Sequence, residues 1–185
     1  MTTNTITKER ISIPQTKLIK DVILHHVVLP NGEKGCWESI AGDIMPTVLL
    51  LGLTKRKEII TIEIFRFPVN DFCIELPGGT LMKDEDPKLG VLREFIEETG
   101  YKPKETMLLC KGYLLNSKLN QSFEVWLGTE CRKVKNPRLD TMEQFAQLKV
   151  VKLSVAEIEQ RILLGDINID PTLSHALLAL RALKI

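Results

Sequence analysis

The stretch ELPGGTLMKDEDPKLGVLREFIEETGY, residues 75–101, decides the reading of this chain. Its second half carries the marks of a helix with defined ends. Asp86 suits an N-cap, Pro87 the first helical position, and Gly100 a left-handed C-terminal cap, so a helix is predicted over Pro87 to Thr99. Residues three and four apart share a helical face, which brings Glu94, Glu97 and Glu98 together on one side. Arg93 can pair with Glu97 one turn on. Glu94 and Glu98 then remain as a hard oxygen pair suited to Mg²⁺ or Mn²⁺. Leu89, Leu92, Phe95 and Ile96 form the apolar face expected to anchor the helix. A Glu-Glu pair alone would read as a solvated helix face. The loop before the helix changes the weighting, because Gly78 and Gly79 can bring bare backbone close to a ligand.

Upstream of this stretch the chain reads as β-rich: Lys17 to Leu29, Gly35 to Ala41, Pro46 to Leu53 and Glu58 to Phe67. Asn31-Gly32 signals a tight hairpin with positive φ at both central residues, making the first two stretches antiparallel neighbours. Val48 to Leu51 is a continuous apolar run, as in a strand covered on both faces, whereas Ile60, Ile62 and Ile64 alternate as in a one-sided strand. Downstream, strands are expected at Met107 to Leu115, Ser122 to Glu130 and Gln147 to Leu153, with a polar loop around Lys133 to Asp140. Ser154-x-x-Glu157 is a capping box that opens a helix to about Leu164. Asp170-Pro171 opens another, with Leu173, Leu177 and Leu180 on one face. The fold class is α/β with a mixed sheet.

The chain's 185 residues suit one compact domain with an extra arm, and 44% hydrophobic with 26% charged residues is ordinary globular usage. Lys and Arg number 25 against 24 Asp and Glu. This balance removes a general electrostatic drive toward nucleic acid or anionic lipid, so any anionic ligand must be bound locally. The cysteines Cys36, Cys73, Cys110 and Cys131 form no Cys-x-x-Cys pair, and reduced, mostly packed thiols are expected. No signal peptide and no run of 18 apolar residues is present in this sequence. The expectation is a cytoplasmic protein that binds neither nucleic acid nor membrane.

The central residues fit Gly79-x5-Glu85-x7-Arg93-Glu94-Phe95-x-Glu97-Glu98-x-Gly100-Tyr101, every position of the Nudix box. Chance would supply seven fixed residues and two apolar slots in a chain of this size about once in ten million. The chain resembles the Nudix hydrolases, a family that cleaves nucleoside diphosphates linked to another moiety, using divalent metals on an α/β/α sandwich. Phe65-Arg66-Phe67-Pro68, Phe72 to Gly79, Cys36-Trp37-Glu38-Ser39 and Ile169 to Leu173 are similar to ADP-sugar (ADP-ribose) pyrophosphatases, over about residues 17 to 182. The resemblance implies an N-terminal antiparallel β arm before the sandwich. The expected organisation is a flexible N-terminus over 1–16, a dimerising arm over 17–45 and the Nudix domain over 46–185.

The resemblance further implies that the Gly78 carbonyl, Glu94 and Glu98 ligate metal, Mg²⁺ or Mn²⁺, with Glu97 assisting and Arg93 in the catalytic set. Arg66, Thr80 and Asn116 fall on substrate-contacting positions. Trp37 and Glu38 match a nucleobase-stacking aromatic and its neighbour, on an arm that in this group crosses to the other subunit of a homodimer. The arm's Ile19, Val22, Leu24, Val27 and Leu29 are more apolar than a thin hairpin could bury. The implied reaction splits a nucleoside diphosphate sugar, ADP-ribose first, into a nucleoside monophosphate and a sugar phosphate. Other nucleotide sugars, such as GDP-mannose or a UDP-sugar, are alternatives. A non-catalytic binding module would be expected to lose box carboxylates, and all are present.

The chain departs from the group at three places. No second aromatic completes a base sandwich in Lys17 to Lys20, Ala41-Gly42-Asp43 stands where an arginine is expected, and Asn116 replaces an acid. Aligning Phe145 with the family's apolar residue puts Gln144 at the catalytic-loop position, with Glu143 one residue away. Glu143 is the first candidate for the general base, with Glu98 or Glu97 as fallback. Trp126 reads as core, His25-His26 as strand residues, and Trp37 suits dimer packing as well as stacking.

Overall fold

The computed structural model describes residues 5–12, 19–42, 45–166 and 168–184. Lys17, Leu18 and Asp43, which the sequence reading touches on, lie outside them. Two compact units result: Met1–Pro46 with Tyr113–Ser122, and Thr47–Gly112 with Phe123–Ile185.

The first unit holds a three-stranded antiparallel sheet of β1 (Thr5–Ser12), β2 (Ile19–Val28) and β3 (Lys34–Gly42), with β2 central. Strand β1 falls in the stretch expected to be a flexible N-terminus. Its sequence lacks clean alternation, and it is held by a ladder to β2 that runs from Thr5 opposite Val28 to Ser12 opposite Asp21. The β2–β3 turn is wider than the expected two-residue hairpin. The Gly32 amide donates to the Leu29 carbonyl, and positive φ falls on Gly32 but not on Asn31. Pro30 fixes a negative φ at the first central position, and Gly32 takes the left-handed place that closes a three-residue loop.

The second unit is built on a mixed sheet of seven strands. Strand β4 (Thr47–Leu53) runs parallel to β10 (Ser122–Thr129), which is followed at the edge by β9 (Glu105–Tyr113). On its other side β4 is shared. β7 (Gly78–Thr80) pairs with Thr47 to Leu49, and β5 (Glu58–Arg66) with Gly52 and Leu53. β5 also pairs with β6 (Asp71–Glu75) and β12 (Lys149–Ser154). A separate ribbon joins β8 (Tyr101–Lys102) to β11 (Arg132–Lys133).

Helix α1 (Pro87–Thr99) has the predicted limits: the Asp86 carboxylate accepts from the Leu89 amide, and Gly100 closes the helix at φ 73°. Val91 and Phe95 pack with Val48, Leu50 and Ile60, while Leu92 and Trp126 are partly buried against the same cluster. Leu89 departs from the expected apolar anchor and is 65% exposed, because Gly90 and Val91 take the buried positions of that turn. Phe123, Val125 and Leu127 alternate with Trp126 and are buried on the opposite face, where Phe123 meets His175 of α4 (Pro171–Ala182) edge-on. Helices thus cover both faces, as expected of an α/β/α sandwich. Ile59 and Thr61 are buried beside Ile60 and Ile62, so the first half of β5 is covered on both sides and not on one.

Helix α2 (Thr141–Phe145) was not anticipated, although Asp140-x-x-Glu143 has capping-box spacing, and both of its bonds are formed. Helix α3 (Val155–Leu163) starts at the predicted Ser154 box. Ile74 bridges Ile169 and bonds Asn168 and Asp170, pinning the start of α4 to the strand that leads into the box. Leu173, Leu177 and Leu180 are buried as expected. Among the described residues no helix is long and apolar enough to cross a membrane.

Candidate active site

In the second unit, the chain leaves β6, turns at Leu76-Pro77 and lays β7 against β4. Gly78 has φ 155°, and a Cβ there would stand 2.1 Å from the Val48 carbonyl oxygen. At Gly79 a Cβ would meet the Glu94 carboxylate carbon at 2.6 Å. Side chains at either position would push the strand off the sheet or the carboxylate off the strand.

Glu98 is only 5% exposed, and its Oε2 accepts the Gly78 amide at 2.7 Å. Burial pushes this carboxyl well above the usual carboxylate range, against that hydrogen bond, and the charges of Glu143 and Glu94 push the same way. Burial also raises Glu94, opposed by Arg93. Glu97 is more open and meets Arg93 at 3.4 Å.

The expected Arg93–Glu97 pairing proves to be the weakest of three. Arg93 forks onto Glu85, Nε to Oε1 at 2.9 Å and Nη2 to Oε2 at 3.1 Å, and reaches Glu94 Oε1 at 2.7 Å through Nη1. Glu85 also accepts the Met82 amide at 2.9 Å, and these bonds, Arg93 first, hold its carboxyl below the usual range. Arg93 therefore ties the loop to the helix and sets Glu94 in place. Glu85 is fixed in the box pattern, but its part as the anchor of Arg93 follows only from the fold.

Arg66 forks onto Glu75, Nε to Oε1 at 2.7 Å and Nη2 to Oε2 at 2.5 Å, and the Glu98 charge reaches it. The sequence offered Glu75 no role. Thr80 ends β7, exposed, opposite Thr47. Glu143 accepts the Asp140 amide at 2.6 Å, and burial raises its carboxyl, with Asp140, Glu94 and Glu97 adding to the shift. It thus lies within electrostatic reach of the box. The Gln144 amide is turned to the Leu139 carbonyl at 2.9 Å.

The site fits a divalent cation by the chemistry of its donors. Among the described residues no group of three His, Cys, Asp or Glu side chains forms a ready cage. Two carboxylates with one backbone carbonyl, completed by water and substrate phosphates, are what Mg²⁺ takes in preference to an all-protein cage.

Trp37, Glu38 and Asn116 belong to the first unit. The Trp37 indole donates to the Ser117 carbonyl at 2.7 Å, lies 5.3 Å beneath the Lys118 ammonium and stays 55% exposed. With Asn116, His25 and Lys8 it lines a groove of about 780 Å³. Glu38 is exposed, outside that groove, and by strand alternation faces away from Trp37. His25 bonds Ser39 and His26 bonds Glu9, as strand residues.

The profile of the NUDIX domain matches residues 44–165. An ADP-ribose pyrophosphatase of Bacillus subtilis is 31% identical over 152 residues, 82% of this chain and 80% of that protein. A mouse ADP-sugar pyrophosphatase is 33% identical over 82 residues, 40% of this chain and 38% of that protein. A crystal structure of an ADP compounds hydrolase superposes with a TM-score of 0.80 at 16% identity, over 98% of this chain and 94% of that one, and so shares the fold. The chain belongs to the Nudix family, and with its box complete it is a hydrolase of pyrophosphate bonds.

Proposed function

We propose that the substrate is a nucleoside diphosphate sugar, ADP-ribose before others, and that the products are a nucleoside monophosphate and a sugar phosphate. The observation that carries this reading is the carboxylate face of α1, fixed against the Gly78-Gly79 strand by the Glu98 bond to the Gly78 amide, with Glu94 held in place by Arg93. The similarity to the B. subtilis ADP-ribose pyrophosphatase supplies the substrate class.

Glu94, Glu98 and the Gly78 carbonyl would hold Mg²⁺ or Mn²⁺, which when bound neutralises the phosphates and makes water a better nucleophile. The protein's own groups do the rest. Arg93 keeps Glu94 oriented, and the half-open Glu97 assists on the same face. Arg66, set by Glu75, offers its guanidinium to a phosphate oxygen. Glu143 takes the proton of the attacking water as the new P–O bond forms and the bridging P–O bond breaks, the electron pair leaving with the departing phosphate. A carboxyl whose proton affinity is raised by burial suits a general base.

We place the partner surface on the arm, where Ile6, Ile11, Leu29 and Trp37 are exposed, as the interface of a homodimer in which Trp37 and Asn116 contact substrate. The four free thiols suit the reducing cytoplasm. A panel of ADP-, GDP- and UDP-sugars with Mg²⁺ or Mn²⁺, followed by product analysis, tests the reading. ADP-ribose should give AMP and ribose phosphate, and chelation should stop the reaction. Absence of hydrolysis across the panel would remove the proposal.

A further inference from the structure

A second feature of the Thr47–Gly112 and Phe123–Ile185 unit lies apart from the box. The turn after β4, the β8–β11 ribbon and Lys152 of β12 line an open groove of about 820 Å³ that contains no box carboxylate. Seven cations and two carboxylates face it. Both carboxylates are engaged: Glu130 pairs with Lys104 at 2.9 Å, and Glu58 accepts the Thr54 hydroxyl at 3.0 Å. Lys55, Arg56, Lys102, Arg132, Lys133 and Lys152 have no ion-pair partner among the described residues.

The register makes this crowding costly. Lys102 stands directly opposite Arg132 on the ribbon, and like charges in that position destabilise an antiparallel pair. The whole chain carries a net charge of only +1, so the excess is local. Screening at physiological salt sets in over about 8 to 10 Å, so a ligand seated in the groove interacts with the cations that line it.

We propose that this groove binds an oligophosphate chain, a linear polyanion recognised through its phosphates alone. Five of its seven cations are lysines, compact point charges without the planar fork that reads bases. Its one aromatic, Tyr101, is partly buried against the α1 core, so the groove has no series of aromatic platforms on which successive bases could stack. The lining has no exposed large apolar side chain that could enter a bilayer, and a concave wall does not fit a flat one.

The test is fluorescence anisotropy of end-labelled inorganic polyphosphate on the full chain, without metal and with chelator, so that the box cannot take part. Binding should be present at about 50 mM salt and fall at least tenfold by about 200 mM, because each cation engaged releases counterions. The combined Lys55→Ser, Arg56→Ser, Arg132→Ser and Lys133→Ser variant should bind at least tenfold more weakly while retaining Mg²⁺-dependent hydrolysis. The charge-conserving counterpart, Lys55→Arg, Arg56→Lys, Arg132→Lys and Lys133→Arg, should preserve binding and thereby exclude a folding defect. Lack of binding at low salt, or equal binding by the serine variant, would overturn the proposal. Tighter binding of a single-stranded oligonucleotide with the same number of phosphates would overturn it in favour of nucleic acid.

Discussion

The box and the arm both gather polar side chains, but they are built differently. The box uses residues 75–101, a short continuous stretch in which each carboxylate has a local tie: Glu98 to the Gly78 amide, Glu85 to the Met82 amide, and Glu94 to Arg93. The arm groove is assembled from β1, β2, β3 and the Asn116–Ser117–Lys118 loop, and its parts meet through strand register, the Ile40 amide donating to the Lys118 carbonyl, the Trp37 bond to Ser117 and the Lys118 ammonium over the Trp37 ring. A local site concentrates consequence in single atoms. A register-built surface spreads it, so substitutions in the box should act all-or-none and those in the arm by degrees.

The sharpest break in that contrast is Glu98→Gln. The amide oxygen of the substituted side chain can still accept the Gly78 N–H, and losing a buried charge removes a desolvation cost, so the fold should persist with little change in Tm. Turnover should fall about a thousandfold or more as an anionic metal ligand is lost. Near-normal turnover would remove the catalytic reading of the helix.

Next in size is Glu143→Gln, expected to lower kcat roughly 100-fold with little change in KM, since general-base help is worth about 10² to 10⁴. Gln144→Glu should be mild, because that side chain is turned to the Leu139 carbonyl. Intact turnover in the Glu143 variant would move the base to Glu97 or Glu98. In the arm, Trp37→Ala should raise KM about tenfold with kcat nearly constant, the scale of one lost stacking contact. Sedimentation at micromolar concentration checks the dimer, and a fully active monomer would contradict it.

What the sequence made legible follows the same division. Helix α1 could be placed to the residue because Asp86, Pro87 and Gly100 act within a few positions, and the box carboxylates follow from helical periodicity. Strand β1 could not, since Thr5 to Ser12 owes its pairing to β2 and not to its own pattern. The Arg66–Glu75 and Arg93–Glu85 forks were hidden because an arginine's partner depends on which turn or strand arrives within reach. The α2 capping box was visible as Asp140-x-x-Glu143, but in so short a helix it was masked by the polar loop before it. The one misjudged face of α1 came from reading periodicity without its neighbours. Leu89 has the right spacing, but Gly90, Val91 and Phe95 take the buried positions and Leu89 is left in solvent.

That misreading supplies the smallest effect and a clean measurement. Were Leu89 an anchor, Leu89→Glu would bury a charge and cost several kcal/mol. At 65% exposure and three positions after the Asp86 cap, the new carboxylate should instead reach back to the cap's backbone amide and sit at the positive end of the helix. Those two effects are each worth a few tenths to about 1 kcal/mol, so stability should be unchanged or slightly raised, within roughly 4 °C in Tm. Phe95→Ala on the same helix is the control, expected to cost about 3 to 5 kcal/mol because that ring is fully buried. If Leu89→Glu destabilises as much as Phe95→Ala, the first turn of α1 is covered in solution by a surface that this chain alone does not provide.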